Sequence, residues 1–218
     1  MARADKNSVL TDEEKEYYSL TESIFSRLAP FYDPLTFFMS GVRKKAVDFA
    51  NAPTGSKVLD AATGTGKQAF AFAARGHDVT GVDISEAMLR VALRKNKFQN
   101  ARFLLADATA LPFPDESFDV ASVSFALHDM PRSIREKTLK EMARVTRPGG
   151  IILIIDHALP RNKLGRFLAY HFTRLHEAQY YREFIRSGPA PFLAQAGLRL
   201  EAEKPAMCAT AKIYRIKK

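Results

Sequence analysis

From Pro53 onward, short apolar runs alternate with helical stretches, and this alternation constrains the fold more than any other feature of the chain. Such alternation is typical of βα units that pack around a parallel sheet. The predicted strands cover residues 57–62, 79–83, 102–106, 119–125 and 150–156, and the predicted helices between them cover residues 66–75, 85–97 and 133–145. We therefore predict an α/β fold with a mostly parallel sheet.

The part of the chain that precedes this region has no strand pattern. Residues 11–28 and 35–50 predict two helices, which Pro30 and Pro34 separate, and Thr11 is placed to cap the first of them. We therefore expect extra helices on the N-terminal side of the sheet.

After the last predicted strand the pattern changes again. Residues 161–187 predict a long helical region, and residues 190–196 predict a short helix. Residues 198–203 and 207–216 predict an antiparallel hairpin at the edge of the sheet, with its turn around residues 204–205. The sheet is therefore expected to be mixed at its C-terminal end.

At 218 residues, with 46% hydrophobic and 26% charged residues, the chain suits one globular domain. We divide that domain into an N-terminal helical cap (1–52), a ligand-binding core (53–156) and a helical lid with the C-terminal hairpin (157–218).

The single cysteine, Cys208, cannot form an internal disulfide, and no group of Cys and His has metal-ligand spacing. We expect an intracellular protein without a metal.

The formal net charge is +9, and the excess lies near the C-terminus, where residues 157–218 hold 12 Lys and Arg against 4 Asp and Glu. Such asymmetry indicates either an anionic partner (nucleic acid, an acidic membrane surface or a charged substrate) or a solvated basic face.

Residues 1–16 lack the apolar segment of a signal peptide, and no apolar run reaches membrane-spanning length. We expect a cytoplasmic protein, with peripheral contact at the inner membrane face as the alternative.

A glycine-rich turn in the run VLDAATGTG (58–66) joins the first predicted strand to its helix. Gly64 and Gly66 have no Cβ, so a ligand can approach the backbone, and the helix start offers amide donors. The same glycines fit the G-x-G-x-x-A pattern of NAD-dependent oxidoreductases, which stays an alternative. Asp60 and its short spacing to Asp83 instead favour a ligand with a cationic amino-acid group, because negative charge repels a pyrophosphate.

Three acids, Asp60, Asp83 and Asp107, follow three predicted strands at the carboxyl edge of the sheet, where parallel α/β proteins bind ligands. Asp83 can accept the hydroxyl hydrogens of a ribose, and Asp107 can accept from the amino group of adenine. Each acid can instead start a loop. For Asp83, however, Ser85 already offers the helix N-cap, which leaves Asp83 free. Met88 either covers an adenine face or packs in the core.

Five runs of the sequence together resemble the class I methyltransferases that use S-adenosylmethionine (SAM). They are VLDAATGTG (58–66), VDIS (82–85), DATALPF (107–113), FDV (118–120) and RPGG (147–150). The resemblance is to the branch that includes the enzymes of ubiquinone and menaquinone biosynthesis and many small-molecule or lipid methyltransferases. It extends from about residue 24 to residue 204.

The resemblance implies a Rossmann-like sheet of seven strands with helices on both faces, SAM as the methyl donor and S-adenosylhomocysteine (SAH) as the product. It implies that the glycine-rich turn holds the methionine part of SAM, Asp83 the ribose and Asp107 the adenine. It also implies that Tyr32 closes over the cofactor, whereas the residues alone allow a core or hinge role. The predicted cofactor-binding residues are Tyr32, Asp60, Ala61, Thr63, Gly64, Gly66, Asp83, Ile84, Met88, Asp107, Ala108 and Ser124.

Methyl transfer needs an aligned nucleophile and, for some acceptors, the removal of a proton. His128 lies just beyond the fourth predicted strand and is the candidate general base or acceptor-orienting residue; a loop histidine without such a role is the alternative. Asp129 either orients His128 or caps the helix after Pro131, and His157 is a second candidate for the role of His128. The fourth strand lacks the Asn/Asp-Pro-Pro-aromatic motif of enzymes that methylate nucleobases, so a nucleic-acid substrate is not favoured.

Residues 161–187 combine basic and aromatic residues at helical spacing. They either pack an apolar stripe on the core, form a lid over a hydrophobic acceptor, or meet an anionic lipid surface.

We predict a SAM-dependent methyltransferase that acts on a small, apolar, lipid-like or quinone-like acceptor, with a noncatalytic SAM-binding module as a further alternative. The chain has no Trp and carries Asp156 and His157 where the quinone enzymes have their Glu-x-Ser signature, so the acceptor class stays open.

Overall fold

Seven strands form one sheet at the centre of the molecule. The computed structural model describes residues 10–159, 180–196 and 198–218. The strands are β1 (Lys57–Ala61), β2 (Asp78–Asp83), β3 (Ala101–Leu105), β4 (Phe118–Ser124), β5 (Thr146–His157), β6 (Arg199–Ala206) and β7 (Ala211–Lys217). Their order across the sheet is β3-β2-β1-β4-β5-β7-β6, and β1 to β5 run parallel. The predicted Rossmann-like, mostly parallel sheet is confirmed.

Helices cover both faces of this sheet and precede its first strand. In the described residues they are α1 (Asp12–Leu28), α2 (Tyr32–Leu35), α3 (Ser40–Ala50), α4 (Lys67–Ala73), α5 (Glu86–Lys95), α6 (Arg132–Val145), α7 (Tyr181–Ser187) and α8 (Ala190–Gln195). Single 3-10 turns cover Phe37–Met39, Leu127–Asp129 and Met207–Ala209. The predicted extra helices on the N-terminal side of the sheet are therefore present.

The N-terminal helices match the prediction at their start and differ further on. The Thr11 hydroxyl accepts from the Glu14 amide at 3.3 Å, and the Glu14 carboxylate accepts from the Thr11 amide at 3.2 Å, so the predicted N-cap is confirmed as a capping box. The single helix predicted over 35–50 is wrong, because α2 ends at Leu35 and a 3-10 turn separates it from α3. Pro34 is tolerated in the first turn of α2, where amide hydrogens have no intrahelical partner.

Strand β5 shows how the sheet separates two apolar layers. Residues 151–155 are all buried, and alternate side chains point to opposite faces. Ile152 and Ile154 pack with residues of α6, α7 and α8, whereas Leu153 packs with residues of α3 and α4. A parallel strand buried on both faces has a continuous apolar sequence, which is why this strand could be recognised from the residues alone.

The C-terminal hairpin is present, but its turn lies further along the chain than predicted. β6 continues through residues 204–205 to Ala206, and the 3-10 turn that starts at Met207 reverses the chain. β7 lies between β5 and β6 and is antiparallel to both, so β6 is the edge strand. Pro205 fits in β6 because an edge strand can lack one hydrogen-bond donor, and the predicted turn at this position is wrong.

Part of the predicted helical region 161–187 lies outside the described residues, which resume at Tyr180. α7 forms its C-terminal end, and α8 matches the predicted short helix. Gly197, which follows that predicted helix, also lies outside the described residues. None of the described helices is both long and apolar enough to cross a membrane. The division of the domain at residues 52 and 156 stays a prediction.

A buried glutamate fastens α1 to α6. Glu14 is 2% exposed, and its Oε1 accepts hydrogen bonds from the Ser133 hydroxyl at 2.8 Å and from the Lys137 ammonium at 2.7 Å. Burial favours the protonated acid, but these two donors and the Thr11 amide together hold the pKa of Glu14 below its ordinary value. The charged carboxylate therefore joins the two helices.

The variant Glu14→Ala should have a free energy of unfolding about 2 kcal/mol lower than that of the native protein, because a helix cap and charge-assisted hydrogen bonds are lost together. Urea denaturation at neutral pH measures the change. Glu22→Ala, at an exposed position of the same helix, is the matched control and should change stability by less than about 0.5 kcal/mol. Equal losses in the two variants would contradict the anchoring role of Glu14.

Candidate active site

The carboxyl ends of β1 to β4 meet at one edge of the sheet, where they line a cavity of about 580 Å³. This volume lies within the range of about 300–1,000 Å³ that is typical of small-molecule sites. α1 supplies a long wall of the cavity, and single residues or pairs from α2, α3, α5 and α6 supply further parts. The sheet edge is therefore covered by helices that precede, connect and follow its strands.

Most of the residues predicted to bind the cofactor lie in the wall of this cavity. They are Tyr32, Thr63, Gly64, Asp83, Ile84, Met88, Asp107, Ala108 and Ser124. The predicted site residues that lie outside the wall are Asp60, Ala61, Gly66 and His128. The structure thus brings the strand-end residues together as expected, while each individual contact with the cofactor stays a prediction.

The glycine-rich turn after β1 uses its two glycines differently. Gly64 has φ +55°, and a Cβ atom built on it would meet no heavy atom within 4 Å, so open space remains beside the cavity. Gly66 has φ +81°, and a Cβ atom there would lie 2.9 to 3.0 Å from the rings of Phe70 and Phe103. Gly64 therefore leaves room for a ligand, whereas Gly66 leaves room for aromatic packing behind the turn.

Asp60 is fully buried in β1. Its Oδ2 accepts a hydrogen bond from the Thr63 hydroxyl at 2.6 Å, and its Oδ1 has no hydrogen-bond partner. Burial raises the pKa of Asp60 to about 7, although the Thr63 hydroxyl and the charge of Arg43 lower it. Thr63 lines the cavity and Asp60 does not, so the Thr63 hydroxyl connects Asp60 to the cavity wall.

Asp83 lies in the cavity wall with both carboxylate oxygens hydrogen-bonded. Its Oδ2 accepts from the Gly64 amide at 2.7 Å, and its Oδ1 accepts from the Ser85 amide at 2.8 Å. Ser85 does cap α5, by accepting from the Met88 amide at 3.3 Å, but the expectation that this cap leaves Asp83 free is wrong. An ionised carboxylate has about four acceptor positions, so Asp83 keeps capacity for ribose hydroxyls.

Asp107 connects the edge of the sheet to α1. Its Oδ2 accepts from the Tyr18 hydroxyl at 2.9 Å, and its Oδ1 accepts from the amide and the hydroxyl of Thr109, both at 2.8 Å. Burial raises the pKa of Tyr18, so its hydroxyl remains a donor. This contact of Tyr18 could not be predicted from the sequence, because a tyrosine in an amphipathic helix is typical of ordinary core packing.

A charge network around Asp33 holds α2 against the glycine-rich turn. Asp33 Oδ1 accepts from the Thr65 hydroxyl at 2.6 Å, and Oδ2 forms an ion pair with Lys95. Lys67 donates to the backbone carbonyl of Asp33 at 3.0 Å. Burial raises the pKa of Asp33, but the lysines and the Thr65 hydroxyl bring it below its ordinary value. The network holds the neighbouring Tyr32 in the cavity wall.

β4 is followed by an aromatic residue with an unusual backbone conformation. Phe125 has φ +52°, in the left-handed region that bulky residues rarely adopt, and its amide donates to the Ile155 carbonyl at 2.7 Å. Its ring lines the cavity and lies 5.4 Å from the guanidinium carbon of Arg43. Strained backbone of this kind is concentrated at functional sites. Neither Phe125 nor Arg43 could be placed here from the sequence, because their positions depend on contacts between α3 and the sheet.

His128 lies beside the cavity and is 8% exposed. Its Nδ1 is 2.6 Å from Asp156 Oδ1, and its Nε2 is 3.3 Å from Asp129 Oδ2. The rings of His157 and Tyr181 pack against it, with centroids 4.6 and 5.4 Å away. Asp129 does line the cavity, and α6 begins without a side-chain cap, so the alternative that Asp129 caps this helix is wrong.

Two carboxylates keep His128 protonated. Burial disfavours the imidazolium, but the charges of Asp156 and Asp129 and the hydrogen bond with Asp156 raise the pKa of His128 to about 9. Burial and the charge of His128 lower the pKa of His157 to about 4, so this second histidine is neutral at pH 7. Because His128 already carries its proton at neutral pH, the geometry favours an orienting role over that of a general base.

The two histidines, together with Asp156, are residue types that can bind a metal ion. Ligand atoms of His128, Asp156 and His157 lie within 4.8 Å of one another. Asp156 Oδ2, however, accepts from the amides of Leu127 and His128 at 3.0 and 3.3 Å, and its Oδ1 accepts from the His157 amide at 2.7 Å. A metal also requires deprotonated imidazole nitrogens. The cluster therefore suits a hydrogen-bonded imidazolium better than a metal ion.

Comparison with known proteins decides the family. A profile described as a methyltransferase domain matches residues 58–150. A demethylmenaquinone methyltransferase of Thermus thermophilus is 33% identical, over 83% of this chain and 93% of that protein. The chain belongs to the class I SAM-dependent methyltransferases. Within this class, the methyltransferase lies in the branch of the ubiquinone/menaquinone biosynthesis C-methyltransferase UbiE of Geobacter sulfurreducens, which is 35% identical over 75% of this chain and 71% of that protein.

Coverage differs among the relatives of the methyltransferase. It spans 59% of the demethylmenaquinone methyltransferase of Renibacterium salmoninarum, at 38% identity. Among solved structures, a putative methyltransferase of Bacillus halodurans aligns with a TM-score of 0.59 and 29% identity, covering 74% of this chain and 71% of that one. The fold alone is shared with the 1,6-didemethyltoxoflavin-N1-methyltransferase of Burkholderia thailandensis, with a TM-score of 0.72 and 21% identity over 96% of this chain and 91% of that one.

These findings confirm the predicted enzyme class and its cofactor, SAM, and they do not favour an NAD-dependent oxidoreductase or a noncatalytic module. The residues of the cavity wall also fit SAM, independently of the relatives. Gly64 leaves open space beside the turn, and Asp83 and Asp107 present carboxylates at neighbouring strand ends, where hydroxyl and amino groups can donate to them.

Gly64→Ala should weaken SAM binding about 10- to 100-fold, because the added methyl group enters the space beside the cavity and strains a positive-φ residue. Isothermal titration calorimetry with SAM measures the change. Gly55→Ala is the matched control, because Gly55 also has a positive φ (+83°) and open space around a built Cβ, yet does not line the cavity. The interpretation fails if both variants lose SAM affinity equally.

The charge on His128 should make the stability of the methyltransferase fall at alkaline pH. Its pKa of about 9 in the folded protein lies above the ordinary value of 6.5, so its charged form stabilises the fold fully below about pH 6.5, and this contribution is lost as the pH rises through 9. The gap in unfolding free energy between the native protein and His128→Gln should be a few kcal/mol at about pH 6 and shrink up to about pH 10. Denaturant titrations across this range measure it, and a gap independent of pH would disprove the imidazolium.

Proposed function

We propose that this enzyme transfers the methyl group of SAM to a carbon atom of a small, apolar, quinone-like acceptor. The observation that carries the proposal is the composition of the cavity wall. Strand ends supply polar groups to this wall, and α1 together with the start of α6 supplies apolar side chains. Such a cavity suits a polar cofactor and an apolar acceptor held side by side.

An apolar stripe on α1 forms part of the cavity wall. Leu20, Ile24 and Leu28 are four residues apart, so they share one helical face, and all three line the cavity. They are 50%, 47% and 37% exposed, so the protein itself leaves much of their surface uncovered. Met130 and Ile134 extend this apolar wall. An acceptor that covers it is stabilised by about 25 cal/mol for each Å² of apolar surface removed from water.

The names of the relatives support the quinone-like class. Proteins 33–40% identical to this chain are named demethylmenaquinone methyltransferases or ubiquinone/menaquinone biosynthesis C-methyltransferases. The second name states that the methyl group goes to carbon. A ring with an apolar tail also suits a cavity wall that contains both polar strand ends and apolar side chains, since only the ring needs to approach the polar groups.

Methylation of a carbon that carries hydrogen releases a proton, and Asp129 is placed to accept it. SAM supplies a methyl group activated by its sulfonium, and the bond to the acceptor carbon forms as the carbon–sulfur bond breaks and SAH leaves. The Asp129 side chain lines the cavity and is 40% exposed. Its enclosure raises the pKa of Asp129, although His128 lowers it, and a raised pKa makes a carboxylate a better base.

In this arrangement His128 is a positioning residue. One of its nitrogens faces Asp129 at 3.3 Å and the other faces the buried Asp156 at 2.6 Å, so the imidazolium holds the cavity carboxylate at a fixed place. The catalytic role that the sequence predicts for His128 is therefore shared between His128 and Asp129. Asp129 touches the acceptor, and His128 orients Asp129.

Peripheral contact with a membrane through residues 161–187, their role as a lid, and a cytoplasmic location stay predictions. Three exposed apolar residues near Tyr32 support the contact with a membrane. Phe31, Leu35 and Phe37 are 65%, 60% and 77% exposed, and they flank the cavity residue Tyr32 along the chain. Sedimentation with vesicles tests the contact, and binding without dependence on anionic lipid would count against it.

The acceptor class is tested by incubating the pure enzyme with methyl-labelled SAM and reduced demethylmenaquinone. The reduced form is used because an electron-rich ring carbon attacks an electrophilic methyl group. A parallel incubation uses a cell extract that is then separated into organic, aqueous small-molecule, protein and nucleic-acid fractions. Label in the organic phase supports the proposal, and label confined to another fraction contradicts it.

Asp129→Asn should lower turnover about 100- to 10,000-fold, because proton transfer is lost, while the dissociation constant of SAM stays within about twofold. His128→Gln should also lower turnover with little change in SAM affinity. Steady-state kinetics and calorimetry measure the two quantities. Asp48→Asn, at a 58% exposed side chain of α3, is the control with normal turnover. Near-normal turnover of Asp129→Asn would remove Asp129 from proton transfer.

A further inference from the structure

Two neighbouring tyrosines of α1, Tyr17 and Tyr18, line the cavity. The Tyr18 hydroxyl donates to Asp107 Oδ2 at 2.9 Å and lies 3.3 Å from the Thr109 hydroxyl, so the fold already engages it. The two tyrosine rings lie edge to face with their centroids 5.4 Å apart. Because successive residues of a helix are rotated by about 100°, Tyr17 faces a different part of the same cavity.

Hydrogen bonds on either side of Tyr17 fix its place in the cavity wall. One turn before it, the buried Glu14 binds two residues of α6, and directly after it Tyr18 binds Asp107. α6 begins shortly after Asp129, which also lines the cavity. Tyr17 is therefore held in the wall between the start of α6 and the strand end that carries Asp107.

The groups that act on the Tyr17 hydroxyl are themselves residues of the cavity wall. Burial raises the pKa of Tyr17, a hydrogen bond with the Thr21 hydroxyl lowers it, and the carboxylates of Asp129 and Asp83 raise it further. Thr21, Asp129 and Asp83 all line the cavity. The hydroxyl therefore lies on the cavity side of α1, within electrostatic reach of both carboxylates, and it keeps its proton at neutral pH.

The two carboxylates near Tyr17 have different roles in the proposed reaction. Asp83 is predicted to hold the ribose of SAM, and Asp129 is proposed to accept a proton from the acceptor. The acceptor ring has to lie within reach of both the methyl group of SAM and Asp129. A hydroxyl that is close to both carboxylates therefore lies where the polar substituents of the ring are expected.

The cavity face of α1 changes from polar to apolar along the helix. Tyr17 and Thr21 are one turn apart and supply hydroxyl groups to the wall. The apolar stripe of Leu20, Ile24 and Leu28 extends about two turns beyond Thr21. An acceptor with a polar ring and an apolar tail matches this change when its ring lies beside Tyr17 and its tail lies along the stripe.

We propose that the Tyr17 hydroxyl donates a hydrogen bond to a ring oxygen of the acceptor and so sets the orientation of the ring in the cavity. The proposal rests on the proposed quinone-like acceptor, whose reduced form carries hydroxyl groups on the ring. A phenolic hydroxyl can accept and donate at the same time, so Tyr17 can accept from Thr21 and donate to the acceptor. A site that binds a substrate oxygen in this way also discriminates against rings that lack the oxygen.

The test compares two ring compounds that differ only in their oxygens. 1,4-Dihydroxynaphthalene has the ring and the two hydroxyls of a reduced naphthoquinone, and naphthalene has the same ring without them. Anaerobic equilibrium dialysis on enzyme saturated with SAH gives the dissociation constants of both compounds for the native enzyme, Tyr17→Phe and Tyr214→Phe. Tyr214 lies in β7 and outside the wall of this cavity, so Tyr214→Phe controls for the loss of a tyrosine hydroxyl.

Tyr17→Phe should weaken the binding of 1,4-dihydroxynaphthalene about 3- to 10-fold, because one hydrogen bond is lost, and should change the binding of naphthalene by less than about twofold. Calorimetry should find its SAH affinity within about twofold of the native value. With reduced demethylmenaquinone as the acceptor, kcat/KM should fall by the same factor as the binding of the dihydroxy ring. Tyr214→Phe should bind all three ligands normally.

Unchanged binding of 1,4-dihydroxynaphthalene in Tyr17→Phe would overturn the proposal. Equal losses for the two ring compounds would assign Tyr17 to packing of the wall, and a loss of SAH affinity would assign it to the cofactor site, so either result would also overturn it. A native enzyme that binds SAH but neither ring compound, and does not methylate reduced demethylmenaquinone, would overturn the quinone-like acceptor itself. The failure of this inference and the failure of the proposed function are therefore distinguishable.

Discussion

The charge network at Asp33 is the interaction on which the cavity depends. It joins α2 to the turn after β1 through Thr65, and to the start of α4 and the end of α5 through Lys67 and Lys95. The Asp33 side chain is 26% exposed, so solvent screens this attraction less than it screens surface pairs. This junction fixes α2 over the strand ends, and the contacts of Glu14 and Tyr18 fix α1.

The acids at the strand ends share one property, which is that the protein fixes each of them before a ligand binds. Asp60 is held by a threonine hydroxyl, Asp83 by two backbone amides and Asp107 by Tyr18 from α1. A carboxylate that is already immobile loses little further entropy when it binds a ligand. Structural and ligand-binding roles are compatible here because each carboxylate accepts several hydrogen bonds.

The βα alternation and the position of the strand-end acids could be predicted from the sequence, because both depend on local patterns and on a general property of parallel sheets. The protonation of His128 could not, since it depends on Asp156, which lies 28 residues away along the chain. The burial of Arg43 could not be predicted for the same reason, because it results from packing of α3 on β5 and β7. The hairpin turn was misplaced because Pro205 indicates a turn locally but is allowed at a sheet edge.

The position of Pro205 has a consequence for encounters between copies of the protein. Among the described residues, β6 is the edge strand, with one side paired to β7 and the other side unpaired. An unpaired edge is a template on which a strand from a second molecule can add, and natural proteins counter this with proline and charged residues. Pro205 lies in this strand next to Lys204 and Glu203, and it has no amide hydrogen to donate. Continuous extension of the sheet from one copy of the protein into another is therefore disfavoured at this edge.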